Sequence, residues 1–248
     1  MPEKHIAVIP ARMGSKSIKD KNLLEINGKS LVRVAVEKAM EARIFTRILV
    51  TSDYPRYKLG IEDVYGDSYT KIEFFRRPED LATDDAKMID VLKQVLGNAK
   101  GPEEWVWLLQ PTSPFRDIHD FKMIHEAIST GKWESVISFK PVEDNTNRIY
   151  SVKNAQAYRY KNSNYDNKQK LRTEVTRSGN FYVTRRKYIL EHSSIENKPF
   201  YTYMMGNIDV EKATDMDKKY SRMLGINIDS EDHWTIAKNH LRRGDIRG

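Results

Sequence analysis

Apolar residues follow two alternating rhythms along this chain. Short runs rich in β-branched and aromatic residues predict strands at Ile6 to Ile9, Arg47 to Thr51, Ile72 to Phe75, Trp105 to Leu109, Ser135 to Phe139 and Asn180 to Val183. Between them Leu31, Val34, Ala35, Ala39 and Ala42 recur at helical spacing after Gly28-Lys29-Ser30, predicting a helix over 30–42. Met88, Val91, Leu92, Val95 and Leu96 mark another, with Thr83, Asp84 or Asp85 as its expected N-cap. Asp117 to Ser129 and Ser230 to Leu241 complete the helices. Such alternation predicts an α/β fold, a Rossmann-like and mostly parallel sheet with helices on both faces.

From about Pro141 to Arg177 the rhythm stops, and the text turns polar and rich in Asn, Lys and Tyr. A loop of that length is uncommon in a compact domain unless it has a function. Glu211 to Lys219 also reads as a polar stretch.

The first strand empties into a dense cationic loop. Pro10 removes a ladder donor, and Arg12, Lys16, Lys19 and Lys21 follow within ten residues. Open α/β sheets bind ligands at the carboxyl ends of their strands, and Gly14 lets the backbone approach a phosphate. Neither Gly-x-x-x-x-Gly-Lys-Ser/Thr nor Gly-x-Gly-x-x-Gly is present, so neither a Walker loop nor a dinucleotide fingerprint is supported.

Composition narrows the field without deciding it. With 248 residues, 31% of them charged, and a mean hydropathy of −0.67, the chain can bury one core and offers no membrane span. Ile6 to Ile9 is too short for the apolar core of a signal peptide, which makes the cytoplasm the default location. Zero cysteines exclude disulfides and thiolate chemistry. The formal charge of +7 comes with no nucleic-acid motif; a nucleoside triphosphate is a sufficient polyanion. The six histidines lack metal spacing, and no Gly-x-Ser-x-Gly elbow points to hydrolysis.

Five segments, in order, resemble the CMP-acylneuraminate (CMP-sialic acid) synthetase family of cytidylyltransferases. Pro10-Ala11-Arg12, Gly14-Ser15-Lys16, Ile18 and Lys21-Asn22 fit its first loop, Pro-Ala-Arg-Gly-Gly-Ser-Lys-Gly-Ile-Pro-x-Lys-Asn; Met13, Ser17 and Lys19 depart from it. Thr51-Ser52-Asp53 is similar to the end of its second strand, Arg77 to Asp84 to its Arg-Pro-x-x-Leu-Ala-x-Asp, and Leu108 to Arg116 to its Leu-Leu-Gln-Pro-Thr-Ser-Pro-Leu-Arg. Ile226 to Ser230 is similar to Ile-Asp-Ile-Asp-Thr, with Asn227 in place of the first aspartate.

The resemblance implies one nucleotidyltransferase domain over residues 1–248, with an excursion at about 141–177 that pairs two subunits of a homodimer and brings sugar-binding groups to the neighbour's site. It implies attack of a sugar hydroxyl on the α-phosphorus of CTP, release of pyrophosphate, and Mg²⁺ as cofactor. Arg12, Lys21 and Asp229 are the expected catalytic residues, with Asp229 and Asn227 as metal ligands. Spaced by two on a strand, these side chains share a face, and an amide keeps the oxygen but loses a charge. Ser15, Lys16, Asn22, Arg77, Gln110, Lys168 and Arg177 are the expected substrate contacts. Simpler roles exist for Arg77, as an ion pair with Glu79 or Asp80, and for Gln110, as a turn residue before Pro111. Asp209 lies in similar text but ranks well below Asp229.

The acceptor implied is an α-keto acid sugar, a nonulosonic acid such as sialic, legionaminic or pseudaminic acid; the eight-carbon sugar Kdo fits less well. Its carboxylate needs a cation, and Lys140, Lys168, Arg172 and Arg177 all qualify. Around them the family pattern weakens: its first arginine becomes Lys168, its second becomes Thr176 or slips to Arg177, and its Asn-Gly becomes Ser178-Gly179. A catalytically weakened CTP- or CMP-binding regulatory or assembly subunit is the alternative. Neither nucleic acid nor membrane is an expected partner.

Overall fold

A computed structural model describes residues 3–54, 71–101, 105–142, 150–153, 156–159, 174–209 and 211–242. Its framework is a seven-stranded sheet. In chain order the strands are β1 (His5–Pro10), β4 (Phe45–Ser52), β5 (Ile72–Arg76), β6 (Trp105–Leu108), β7 (Ser135–Pro141), β10 (Val175–Arg185) and β11 (Phe200–Met204). Small hairpins β2–β3 (Glu25–Ile26, Lys29–Ser30) and β8–β9 (Tyr150–Lys153, Gln156–Arg159) lie outside it. The order across the sheet is β11-β7-β10-β6-β1-β4-β5. Every neighbouring pair is parallel except those made by β10, which runs against β6 and β7.

Helices α1 (Leu31–Ala42), α2 (Met88–Asn98), α3 (Ile118–Ser129), α4 (Arg186–His192), α5 (Asp215–Leu224) and α6 (Glu231–Arg242) cover both faces. β1 shows why two layers form. Successive side chains on a strand point to opposite faces. Ile6 and Val8 accordingly pack with Leu92, Val95 and Leu96 of α2 and Ile189 of α4, whereas Ala7 and Ile9 pack with Leu31, Ala35 and Ala39 of α1 and Phe121 of α3. Phe45, Trp107, Phe121 and Phe181 centre the second layer; the Phe121 and Phe181 rings meet edge to face at 4.9 Å. The buried His5 imidazole belongs here too, accepting a hydrogen bond from Trp107 Nε1 at 3.2 Å, and burial pushes its pKa down to about 4.

Most predicted elements are present, with shifted ends, and four expectations are corrected. Asn227 and Asp229, expected on a strand, lie in the irregular segment between α5 and α6. The segment expected as a short strand at Asn180 is the eleven-residue β10, and it is antiparallel. α2 begins after Lys87 with no side-chain cap, so Thr83, Asp84 and Asp85 do not cap it. The polar text at Glu211 to Lys219 enters α5, opened by a capping box in which Thr214 and Asp217 satisfy each other's backbone amides. Periodicity had also passed over α4 and β11. Of the 141–177 excursion, residues 143–149, 154–155 and 160–173 lie outside the described residues, and with them Lys168 and Arg172.

Candidate active site

The carboxyl ends of β1, β6 and β7 share one edge of the sheet, and there the expected groups meet. β1 leads into a loop held from beneath by Ile18, which is buried, and turned at Gly14, whose φ is 76°. Asp53, at the end of β4, accepts from the Met13 amide at 2.9 Å. Arg12 reaches the Gly14 and Ala82 carbonyls, each at 3.4 Å, and pairs with Asp84. Lys16, largely exposed, meets the other oxygen of Asp84 at 2.8 Å. The two cations expected on the triphosphate therefore stand side by side around one carboxylate. Lys16 first, then Arg12, holds the Asp84 carboxyl below its ordinary pKa. Ser15 lies in the same loop, its hydroxyl 3.3 Å from that of Ser17, and Lys19 is exposed.

Lys21 and Asn22 leave the loop on a single 3-10 turn, Lys21–Leu23. Asn22 is buried and donates to the Arg12 carbonyl at 2.9 Å, fixing the backbone on which Arg12 stands. The Lys21 side chain is only 13% exposed, and its Nζ lies 3.0 Å from Asp229 Oδ1. Arg77 is buried against the end of β4 rather than on an exposed helix flank; its amide donates to Ser52 O at 2.8 Å and its guanidinium to Thr51 O at 3.2 Å.

Asp229 arrives from far along the chain because the Ile228 amide donates to Thr112 O at 2.7 Å, stitching the C-terminal segment to the turn after β6. That turn carries Gln110, whose carbonyl accepts from Arg116 at 2.7 Å; the same guanidinium donates to Asn180 O at 2.8 Å and so ties β6 to β10. Burial lowers the Arg116 pKa to about 9, which leaves it cationic at neutral pH. A Cβ on Gly179 would stand 3.1 Å from Ser113 Oγ, 3.3 Å from Gln110 Oε1 and 3.5 Å from Asn227 Nδ2, so these four residues form one floor.

The Asn227 side chain departs from the expectation of an oxygen turned to a metal. Its amide nitrogen donates to Asp229 Oδ2 at 2.7 Å, while its oxygen faces Ser113 Oγ at 3.4 Å. A metal contact from Asn227 requires the amide to turn over. Among the described residues no group of three or more His, Cys, Asp or Glu side chains could hold a metal ion. The half-exposed Asp229 carboxylate remains, and one carboxylate supplemented by phosphate oxygens and water is a donor set that suits Mg²⁺. Arg177 stands at the same edge, opposite Phe139 of β7, but is turned to the other face, where it pairs with Glu196 next to Tyr182 in the layer of α2 and α4. Asp209 is exposed and pairs with Lys212 at 3.1 Å.

Sequence reasoning passed over Asp84, Ser113, Arg116 and Gly179 as parts of this site. Asp84, Ser113 and Arg116 lie inside the family-like segments Arg77 to Asp84 and Leu108 to Arg116, and Gly179 inside Ser178-Gly179, but its φ of 83° is seen only in the folded backbone.

Residues 6–235 match the sequence profile of a family described as cytidylyltransferase. The chain belongs to that family. An N-acylneuraminate cytidylyltransferase of Escherichia coli is 29% identical over 231 residues, covering 92% of this chain and 52% of that protein. This cytidylyltransferase-family chain thus spans about half the length of that relative. A CMP-N,N'-diacetyllegionaminic acid synthase of Legionella pneumophila is 30% identical over 215 residues, covering 82% of this chain and 87% of that protein. Among solved structures, a CMP:2-keto-3-deoxy-manno-octonic acid synthetase complexed with CTP superposes with a TM-score of 0.61 at 15% identity, covering 98% of this chain and all of that one, and shows the shared fold. No helix among the described residues is long and apolar enough to cross a membrane.

Proposed function

We propose that this chain transfers CMP from CTP to the anomeric hydroxyl of a nonulosonic acid, releasing pyrophosphate. The observation that carries the reading is the convergence of Arg12, Lys16 and Lys21 from the first loop with Asp229 and Gln110 at one sheet edge. In-line displacement at the α-phosphorus spreads negative charge over its equatorial oxygens and the departing pyrophosphate. Arg12 and Lys16 meet the leaving pyrophosphate, and a bound triphosphate competes with Asp84 for both. Lys21, steered by Asp229, meets the α-phosphoryl oxygens where the transition state gains charge. Ser15 and the amides around Gly14 add donors. Asn22 and Arg77 serve the cytidine side, and Gln110, on the opposite side of the loop, orients the acceptor.

Mg²⁺, held by Asp229 together with phosphate oxygens, would supply charge neutralisation at the reacting phosphate. Asn227 braces that carboxylate and becomes a ligand only with its amide reversed. The names of the two curated relatives support a nonulosonic acid as acceptor. Homodimerisation through the 141–177 excursion and a cytoplasmic location complete the proposal. The comparisons lend nothing to the alternative of a catalytically weakened subunit.

Pyrophosphate release tests the reading, measured with CTP, UTP, ATP and GTP against sialic, legionaminic and pseudaminic acids and Kdo. Release with CTP and a nonulosonic acid, and with no other nucleotide, is the expected result. CTP binding without turnover on any acid would sink it.

A further inference from the structure

Resting on that reading, we propose that Lys140 binds the acceptor's carboxylate and that residue 225 is glycine to give its side chain room. Of the four cations the sequence offers for the carboxylate, Lys168 and Arg172 lie outside the described residues, and Arg177 is engaged by Glu196. Lys140 is placed differently. It stands near the carboxyl end of β7, which runs parallel to β1, at the edge that carries the cationic first loop and Gln110, and unlike Arg177 at the same edge its stem lies on the face of Gly225, beside the segment that leads to Asp229.

The strand order gives the spacing. β7 lies two strands from β6 and three from β1, which at about 4.8 Å per strand sets it about 10 Å and about 14 Å away, on the side opposite β4 and β5. Phosphates on the β1 loop and a sugar acid over β6, β10 and β7 then meet near Lys21 and Asp229. In an α-keto acid sugar the carboxylate hangs from the anomeric carbon itself. A cation that fixes the carboxylate therefore also aims the attacking hydroxyl.

The Lys140 stem is held by its surroundings. A Cβ on Gly225 would stand 2.8 Å from Lys140 Cδ and 3.0 Å from its Cβ, and 3.1 Å from Ser178 Cβ. Gly225 has φ −82°, a value any residue adopts, so the backbone does not demand glycine there; the lysine stem does. Clamping the methylenes lowers the rotamer entropy lost when the ammonium engages an anion. Burial pushes the Lys140 pKa down, and the negative charge of Asp229 pushes it back.

The test compares wild type, Lys140→Met and Gly225→Ala on a nonulosonic acid and on its primary carboxamide, at saturating CTP, with CTP affinity measured by calorimetry to verify the fold. Methionine keeps the stem and deletes the charge. Lys140→Met should lower kcat/KM for the acid by about 10- to 100-fold, the loss typical of a charged hydrogen bond, and lower it far less for the amide, so that the acid preference of wild type collapses towards one. Gly225→Ala, which displaces the stem but keeps the charge, should weaken the same preference to a smaller extent. An unchanged acid-to-amide ratio in Lys140→Met, or equal losses on both acceptors, overturns the assignment. Absence of wild-type turnover on every acid overturns the acceptor class and this assignment together, and is distinguished by appearing before any substitution is made.

Discussion

Replacing Gly179 with alanine probes the floor formed by Ser113, Gln110 and Asn227 and its proposed role under the acceptor. Gly179 has φ 83° within the irregular stretch of β10 between Arg177 and Tyr182, where the ladder with β7 shifts register. A side chain in that left-handed region costs about 1–2 kcal/mol. The new Cβ would also sit 3.1 Å from the hydroxyl of the fully buried Ser113 and 3.3 Å from Gln110 Oε1. Ser113 has no room to retreat, so the more flexible Gln110 amide yields by a few tenths of an ångström. For a chain of this size about 2–4 °C of Tm accompanies each kcal/mol, giving a fall of about 2–8 °C by calorimetry. Misplacing a positioning group by about 1 Å costs about 100-fold in rate, so the smaller shift here should raise the acceptor KM by roughly 3- to 10-fold. The KM for CTP should hold, because Arg12, Lys16 and Asp84 touch none of these atoms. A rise in CTP KM equal to that for the acceptor, or an unchanged Tm and unchanged kinetics, would refute this geometry.

Lys21→Met should lower kcat by about 100-fold or more, the scale seen when a transition-state donor is removed, while Lys19→Ala leaves steady-state rates unchanged; equal effects would show that the motif alignment is wrong. In a Mg²⁺ titration of pyrophosphate release, Asp229→Ala should abolish metal-dependent turnover. Asn227→Asp restores a charge beside Asp229 and should shift the Mg²⁺ midpoint to lower concentration; an unchanged midpoint would leave residue 227 a brace only. Asp84→Asn frees Arg12 and Lys16 from a competing anion, so inhibition by added pyrophosphate should strengthen several-fold at neutral pH. Because Lys16 and Arg12 hold the Asp84 pKa down, its carboxylate is lost only as the pH falls through that lowered value; titrating inhibition downward should close the gap between variant and wild type, and a gap independent of pH would argue against the competition.

The cationic loop after β1 was legible in the sequence because its parts are contiguous: strand, proline, glycine and cations lie within one short segment, and local text suffices. The fold class was legible for the same reason, since strand and helix periodicities are local. The reversal of β10 was not, because a strand buried on both faces carries the same apolar run in either direction. Asp84 read as a helix cap because capping text and a counter-anion to Arg12, 72 residues away, use the same side chain. α5 was hidden by the exposure of most of its length, although Thr214 and Asp217 spelled its capping box. The choice of Lys140 over Arg177 required knowing that Gly225 and Glu196 fold against them, which no spacing reveals.

Phosphorus NMR of one reaction mixture tests the central claim most directly. With CTP, Mg²⁺ and a nonulosonic acid, the three CTP resonances should give way to pyrophosphate and a single phosphodiester resonance, one of each per acid consumed and only when the acid is present. Appearance of orthophosphate with CDP, a CMP monoester formed without the acid, or CTP that stays intact beside every acid would contradict it.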